Sequence, residues 1–215
     1  MWNQAELRRV IQISVVATVA IALIYIYFVG VTFLSFKALQ GFSVGLSTIT
    51  LFWVFYFRWG WCWPILDKLF DKPDLNGTWT GTLKTDWRDP QGQEVEPKDF
   101  AIVVRQTFFQ LHFTTFTDSF IALSYVEGFW IDRERGIKRI VFLYAQDSTT
   151  VGEEGNREGA TELRVLGEPA QRMTGRYWSN TKTNGFIELE KISREQAESF
   201  EEAMRMKKES IKNVA

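Results

Sequence analysis

Few residues in this chain have the types and spacing that catalysis or metal binding requires. The sequence contains one histidine, His112, and one cysteine, Cys62. Metal sites and Cys–His catalysis draw on several such residues, so one of each leaves little material for either. His112 falls within a predicted strand, where a packed or surface histidine is the ordinary interpretation. We therefore predict no metal site.

Acidic pairs and glycine loops give no stronger indication of an enzyme. Carboxylate pairs occur at Glu153-Glu154, in a polar loop, and at Glu201-Glu202, in a charged helix, where a solvated face is the ordinary interpretation. We find no phosphate-cradling glycine loop, serine nucleophile elbow or metalloprotease motif. A formal net charge of −1 provides no broad basic field for a DNA or RNA polymer. We predict a protein that is not an enzyme and has no cofactor.

Binding chemistry is better represented, on one side of a run of predicted strands. Alternation along these strands gives five residues an inward phase: Trp79, Gln106, Thr115, Thr117 and Tyr177. Gly81 and Gly175 share this phase, and we expect them to leave room for a guest. Mostly apolar walls with a few fixed polar groups are typical of small-ligand sites. The alternative is a filled interior, and we interpret Trp79 as a plug at a closed end.

The elements that carry these residues are short, evenly spaced strands. The clearest begins at Leu75, from which apolar or small residues alternate with polar ones through Lys84. Further strands are predicted over residues 100–106, 110–117, 120–130, 137–146, 161–166, 172–179 and 185–192. About eight strands with hairpin-length turns favour an antiparallel, lipocalin-like up-and-down barrel over a sandwich. An eight-stranded barrel can hold one small ligand.

Two apolar segments, over residues 10–36 and 38–57, precede the strands. Each reaches or exceeds the roughly 20 residues that span a hydrocarbon core. The first is too long for a secretory signal peptide. Arg8, Arg9 and Arg58 flank the hairpin, whereas its loop holds only Lys37, so both termini are predicted to be cytoplasmic. The segments contain no charge, which argues against a transporter.

The second apolar segment contains Gly41-x-x-x-Gly45, a spacing that lets another helix approach closely. The pattern predicts either self-association in the membrane or packing on the partner helix of the hairpin.

We divide the chain into a membrane anchor (1–63), a juxtamembrane linker (64–73), a barrel domain (74–192) and a C-terminal helix or tail (193–215). Ser193-x-x-Gln196 resembles a capping box and predicts that this last helix begins there.

Three short motifs and the order of the elements carry a resemblance to a known family. The motifs are Leu75-x-Gly77-x-Trp79-x-Gly81, Gly175-x-Tyr177 and Gly185-x-Ile187-x-Leu189. Behind two transmembrane helices, this order resembles the family of CD-NTase-associated protein 15, effectors of the bacterial anti-phage system CBASS. The resemblance extends from about residue 10 to residue 192. A Gly-x-Trp start also occurs in lipocalin-like barrels generally.

The resemblance implies a receptor for a cyclic dinucleotide made by a functionally linked CD-NTase. The ligand would bind in the barrel and trigger homo-oligomerisation of the helices in the lipid bilayer of the bacterial inner membrane. Membrane disruption would then kill the cell by abortive infection. The contact between protomers would be the groove at Gly41 and Gly45.

The resemblance also directs attention to residues that suit a nucleotide. Bases could stack on aromatic rings, and hydroxyl groups and cations could contact phosphate. The candidate ligand-binding residues are Tyr177, Thr115, Thr117, Gln106, Tyr144, Arg105 and Thr181. Arg176 and Lys182 are further cations nearby, but Arg105 and Arg176 have an outward phase unless a bulge redirects them.

Two other classes of protein fit the same pattern. A membrane-tethered, lipocalin-like carrier would hold an apolar ligand and would not respond to nucleotides. A structural adaptor would have a filled barrel and bind a protein partner through its surface.

Overall fold

The computed structural model describes residues 4–30, 36–88, 91–146 and 157–214. The chain forms two compact units. The first comprises Met1–Lys72 with Thr107–Phe109, and the second comprises Pro73–Gln106 and Gln110–Ala215.

The first unit is built on two long apolar helices, α1 (Gln4–Val29) and α2 (Phe36–Arg58). By length and composition, Glu6–Val29 and Ala38–Arg58 can each cross a membrane. Only 11% of the most apolar 18-residue stretch of the first is buried within the protein, and only 28% of that of the second. Helix α1 begins earlier and ends earlier than predicted. Gly30 follows it with a φ of 66°, a conformation that ends helices and suits glycine. Residues 31–35, which belong to the predicted first apolar segment, and the side chain of Lys37 in the predicted loop lie outside the described residues.

Helix α2 packs on α1 through its glycine groove. A Cβ atom at Gly45 would lie 2.7 Å from the carbonyl oxygen of Thr18. A Cβ atom at Gly41 would lie 3.0 Å from Cδ1 of Tyr25 and 3.2 Å from the carbonyl oxygen of Ala22. The two glycines therefore permit close approach within the hairpin, which is one of the two interpretations of the pattern. A contact between protomers at these glycines stays a prediction.

An aromatic cluster occupies the rest of the first unit, around the 3-10 turns Gly60–Cys62 and Asp67–Leu69. Its buried aromatic residues are Trp53, Tyr56, Trp61, Phe70 and Phe108. The ring centroids of Phe70 and Phe108 are 5.2 Å apart, and Lys72 Nζ donates a hydrogen bond of 2.9 Å to the carbonyl oxygen of Phe108.

The second unit contains an eight-stranded antiparallel barrel. Its strands are β1 (Gly77–Thr85), β2 (Lys98–Gln106), β3 (Leu111–Phe116), β4 (Ile121–Asp132), β5 (Ile137–Gln146), β6 (Glu158–Leu166), β7 (Arg172–Ser179) and β8 (Asn184–Ser193). Each strand pairs with the next along the chain, and β8 pairs with β1 to close the barrel. The predicted up-and-down barrel is confirmed, and the bounds predicted for β5 and β7 agree with the structure.

One end of the barrel is filled by apolar side chains. Trp79 is completely buried there, and its Nε1–H donates to the carbonyl oxygen of Leu75 at 2.8 Å. Phe113 and Phe142 stack nearby with centroids 4.3 Å apart. Trp79 thus lies where a plug is predicted.

Gly81 and Gly175 do not make room for a guest, contrary to our expectation. A Cβ atom at Gly81 would collide with the carbonyl oxygen of Glu188 on β8, and one at Gly175 would collide with that of Glu162 on β6. Their role is close approach between neighbouring strands, where a side chain would push the backbones apart.

The C-terminal helix, α3 (Phe200–Val214), begins later than the predicted capping box at Ser193. Ser193 still belongs to β8, and the segment after it is held to β1 by Thr78, whose hydroxyl donates to Glu195 O at 2.7 Å and accepts from Ala197 N at 2.9 Å. The helix is capped by Ser199, whose Oγ accepts from Glu202 N at 3.2 Å. Helix α3 then covers the outer apolar side chains of Ala101, Val103 and Phe116.

Candidate ligand-binding site

A cavity of about 450 Å³ opens at the other end of the barrel. The hairpins β1–β2, β3–β4, β5–β6 and β7–β8 surround it, and the lining residues come from their connecting turns and from the adjacent ends of all strands except β4. The volume falls within the roughly 300–1,000 Å³ range of small-molecule sites. Its walls combine apolar residues such as Leu83, Phe100 and Ile187 with hydroxyl, phenol and charged groups.

Five of the seven predicted ligand-binding residues line this cavity. They are Thr115, Thr117, Tyr144, Tyr177 and Thr181. They come from β3, the β3–β4 turn, β5, β7 and the β7–β8 turn, and the closed topology brings them together.

Cross-strand glycines position the two tyrosines. Tyr144 pairs with Gly159 on β6, and Tyr177 pairs with Gly185 on β8. A Cβ atom at Gly159 would meet the phenol of Tyr144, and one at Gly185 would meet the ring of Tyr177. The glycines therefore let each ring lie across the neighbouring strand.

Both phenols are held in their neutral form. Burial raises the pKa of Tyr144 to about 12, and the neighbouring Tyr177 adds to the shift. Burial also raises the pKa of Tyr177, although hydrogen bonds with Thr85 and Thr183 partly oppose this. At neutral pH each tyrosine thus offers an uncharged aromatic ring and a hydroxyl donor.

A cluster of three hydroxyl groups lies beside Tyr177. Ser179 Oγ is 2.7 Å from Thr181 Oγ1 and 2.6 Å from Thr183 Oγ1. Of these three hydroxyl residues, only Thr181 is among the ligand-binding residues predicted from the sequence. The alternation Ser179-x-Thr181-x-Thr183 across the turn was the available signal for the other two.

Two cations that the sequence analysis missed, Lys98 and Arg157, line the cavity together with Asp118. The guanidinium carbon of Arg157 lies 5.6 Å from the ring centroid of Phe120, within cation–π range. Arg157 lies within the Gly- and Glu-rich segment over residues 151–159, which the sequence predicts to be a loop, and Lys98 precedes the predicted start of its strand. Neither therefore had a predicted face.

The structure does not bring Gln106 or Arg105 to the cavity. Gln106 is inward but lies at the filled end, where its Oε1 accepts from Leu75 N at 2.7 Å and its Nε2 donates to Pro73 O at 3.0 Å. Arg105 is exposed, and its Nε donates to Gln196 Oε1 at 2.8 Å. The β2–β3 register is regular through both residues, so no bulge redirects Arg105. Arg176 is likewise exposed on the outside of β7.

Carboxylate, histidine and cysteine side chains do not converge at any point that the described ranges cover: no group of three or more that could hold a metal occurs there. His112 lies outside the cavity, with Nδ1 3.5 Å from Glu127 Oε1. The chemistry of the cavity is therefore that of aromatic rings, hydroxyl groups, two cations and one carboxylate.

A closed barrel with a polar-lined cavity at one end belongs to the class of small-ligand-binding β-barrels. Residues 70–191 match the family described as Cap15, cyclic dinucleotide receptor domain. The chain belongs to this family.

Two curated proteins are similar over most of the chain. CD-NTase-associated protein 15 of Escherichia albertii is 26% identical over 202 residues, which cover 89% of this chain and 98% of that protein. CD-NTase-associated protein 15 of Staphylococcus schleiferi is 24% identical over 153 residues, which cover 70% of this chain and 78% of that protein.

Proposed function

We propose that this protein is a membrane-bound, non-catalytic effector of CBASS anti-phage defence whose barrel binds a cyclic dinucleotide. The observation that carries the proposal is the 450 Å³ cavity, in which two tyrosines, a hydroxyl cluster and two cations meet within a cyclic dinucleotide receptor domain.

The lining of the cavity suits the two bases and two phosphates of such a ligand. Tyr144 and Tyr177 provide stacking surfaces, each worth about 1–3 kcal/mol per base. Lys98 and Arg157 supply positive charge for the phosphates, and charge-assisted hydrogen bonds are the strongest that a side chain offers. Thr115, Thr117 and the Ser179–Thr181–Thr183 cluster supply hydroxyl groups for phosphate or base edges. Gln106 and Arg105 have no part in this site.

The proposed output is disruption of the membrane that the helices span. Ligand made by a linked CD-NTase favours an assembled state, and assembly can follow only if that state binds the ligand more tightly. Homo-oligomerisation then gathers the α1–α2 hairpins in the bacterial inner membrane, with both termini cytoplasmic, and the cell dies before phage spreads. Two apolar helices of spanning length support the membrane assignment.

The test is a thermal-shift screen of the full chain in detergent micelles against cyclic di-GMP, cyclic di-AMP, cyclic GMP–AMP and a set of fatty acids. A ligand at 100 times its Kd should stabilise the fold by about 2.7 kcal/mol. Arg157→Gln should reduce the shift, whereas Arg164→Gln should not, because Arg164 is an exposed arginine on β6, outside the cavity lining.

The outcomes separate the proposed receptor from the other two classes. A shift with fatty acids and none with nucleotides would favour a carrier of apolar ligands. No shift with either would favour a structural adaptor. A nucleotide shift that Arg157→Gln leaves unchanged would refute the assignment of this cavity.

A further inference from the structure

One residue of the cavity carries a charge that the proposed function leaves without a role. Asp118 lines the cavity together with the cations Lys98 and Arg157. It is the single carboxylate among the described lining residues, and it makes no hydrogen bond or ion pair with any residue that the structure describes. A cyclic dinucleotide carries two negative phosphates. A carboxylate in its site therefore repels the ligand, unless it accepts hydrogen bonds from donors that the ligand provides.

The β3–β4 turn fixes the backbone on both sides of Asp118. Thr117 N donates to the carbonyl oxygen of Phe120 at 3.0 Å. The hydroxyl of Thr117 in turn accepts from Phe120 N at 3.1 Å and from Ser119 N at 3.3 Å. The carboxylate is thus attached to a turn whose backbone is held by three hydrogen bonds, so little order has to be gained when a ligand binds there.

Arg157 connects this turn to one of the two stacking tyrosines. Its guanidinium carbon lies 5.6 Å from the ring centroid of Phe120, in the same turn as Asp118. Burial raises the pKa of Tyr144, and the positive charge of Arg157 opposes that shift, so these two groups are also near each other. A base that stacks on Tyr144 therefore lies in the part of the cavity bordered by Arg157 and the β3–β4 turn.

Guanine is the nucleobase whose edge best matches a carboxylate. Its Watson–Crick edge presents two adjacent donors, N1–H and the N2 amino group, and a carboxylate has two acceptor oxygens. Adenine has an acceptor at N1, so a carboxylate there would meet one donor and one lone pair. Cytosine has the same mixed pattern, and uracil has one N–H between two carbonyl groups. The ribose hydroxyl groups are the other donors of the ligand, and they are the same whatever the base.

We propose that Asp118 accepts hydrogen bonds from N1–H and the N2 amino group of a guanine, so that the cyclic dinucleotide bound by this protein contains at least one guanine. Ser119, the next residue of the cavity lining, has a hydroxyl group that can donate to O6 of the same base. One carboxylate binds one base edge, so a single guanine is sufficient. The inference rests on the proposed function, since it specifies the ligand of the same cavity.

The first test is isothermal titration of the full chain in detergent micelles with cyclic di-GMP, cyclic di-IMP and cyclic di-AMP. Cyclic di-IMP keeps N1–H but lacks the N2 amino group, so it can make only one of the two hydrogen bonds. The native chain should bind cyclic di-GMP most tightly and cyclic di-AMP most weakly, with roughly 5- to 150-fold between their Kd values. Cyclic di-IMP should lie between them, and cyclic GMP–AMP should bind nearly as tightly as cyclic di-GMP.

Asp118→Asn tests the residue itself. A carboxamide offers one acceptor and one donor, which complements adenine instead of guanine. The variant should bind cyclic di-GMP more weakly and cyclic di-AMP more tightly than the native chain, so that the preference reverses. Glu134→Gln removes the same charge from the exposed β4–β5 turn, outside the cavity lining, and should keep the native preference. Asparagine is as common in turns as aspartate, so melts without ligand should agree among the three chains.

Three results would overturn the inference while leaving the cavity a nucleotide site. Tighter binding of every ligand by Asp118→Asn would show that the carboxylate only repels phosphate. Equal weakening for every ligand would show a contact with a ribose hydroxyl. A native chain that binds cyclic di-GMP and cyclic di-AMP equally tightly would show that no guanine is selected, and this result needs no variant. Absence of binding of all four nucleotides to the native chain would instead refute the proposed function, and the inference with it.

Discussion

At the scale of single residues, the candidate site depends on two tyrosines that are placed by glycines. Tyr144 lies across Gly159 and Tyr177 across Gly185, so each ring is oriented by a position that has no side chain of its own. Pre-oriented rings lose little conformational freedom when a base stacks on them. Each tyrosine–glycine pair therefore provides both a stacking surface and the packing that fixes the orientation of the ring.

We expect Tyr144→Leu to weaken cyclic dinucleotide binding by about 1–3 kcal/mol, or roughly 5- to 150-fold in Kd, because the stacking surface is removed. Tyr144→Phe should retain most of the affinity. Isothermal titration of the full chain in micelles measures both variants. Equal affinity of the leucine variant and the native chain would contradict a stacking role.

The raised pKa of Tyr144 makes a prediction about pH. Because the folded-state pKa of about 12 lies above the ordinary value of 10, the neutral phenol favours the folded state. Its stabilisation is complete below pH 10 and is lost as the pH rises towards 12, with a magnitude on the order of 2 kcal/mol. Thermal melts between pH 9 and pH 11.5 should show a smaller loss for Tyr144→Phe than for the native chain. The exposed Tyr125→Phe serves as the control and should follow the native curve.

At the scale of elements, side-chain hydrogen bonds determine where the C-terminal helix begins. Thr78 is completely buried on β1, and its hydroxyl satisfies two backbone groups of the segment before α3. Residues 194–199 therefore stay non-helical where a capping box is predicted, and the helix starts only after Ser199.

Thr78→Val should destabilise the fold by about 1–3 kcal/mol, because it leaves the buried N–H of Ala197 and the partly buried carbonyl of Glu195 without their partner. Chemical unfolding of the full chain measures the change. Thr82→Val, at an exposed position on the same strand, should change the free energy of unfolding by less than about 0.5 kcal/mol. Equal effects of the two variants would show that the Thr78 hydrogen bonds contribute nothing.

The glycine groove of α2 makes a second prediction at this scale. Gly45→Leu should lower the stability of the hairpin by about 1–3 kcal/mol, because the new side chain meets the backbone of Thr18. Titration of the micelle-bound protein with SDS, followed by circular dichroism, measures this loss. Ser47→Leu on the exposed side of α2 should leave stability near the native value. Unchanged stability of Gly45→Leu would instead favour a contact between protomers.

At the scale of the whole molecule, the proposed function joins a binding event in the barrel to a change in the membrane. In this proposal, the barrel cavity with its aromatic, hydroxyl and charged side chains receives the ligand, and the apolar hairpin carries the effect into the bilayer. Each part is incomplete alone, so the function has to be tested on the full chain in cells.

We expect cells that express this chain and an active cyclic dinucleotide synthase to stop growing and to admit propidium iodide. Arg157→Gln should protect them, because the ligand loses a cationic contact, whereas Arg164→Gln should not. Flow cytometry with an immunoblot for expression measures both variants. Permeability that persists at full expression of Arg157→Gln would contradict the link between this cavity and the membrane.

The sequence alone determined the features that depend on neighbouring residues. Alternation along the chain identified eight strands and their inward faces, and two uncharged apolar runs identified the helices. Periodicity is a local property, so it can be read without knowledge of the fold. It also placed Thr115, Thr117 and Tyr177 on the correct face.

Only the tertiary structure decided which inward residues share one end of the barrel. Gln106 and Thr115 have the same phase, yet strand direction and register put one at the filled end and the other at the open cavity. Lys98 and Arg157 reach that cavity because closure brings the ends of distant hairpins together. Gly41 and Gly81 likewise acquired their roles from atoms far along the chain, since close packing is set by neighbours in space and not in sequence.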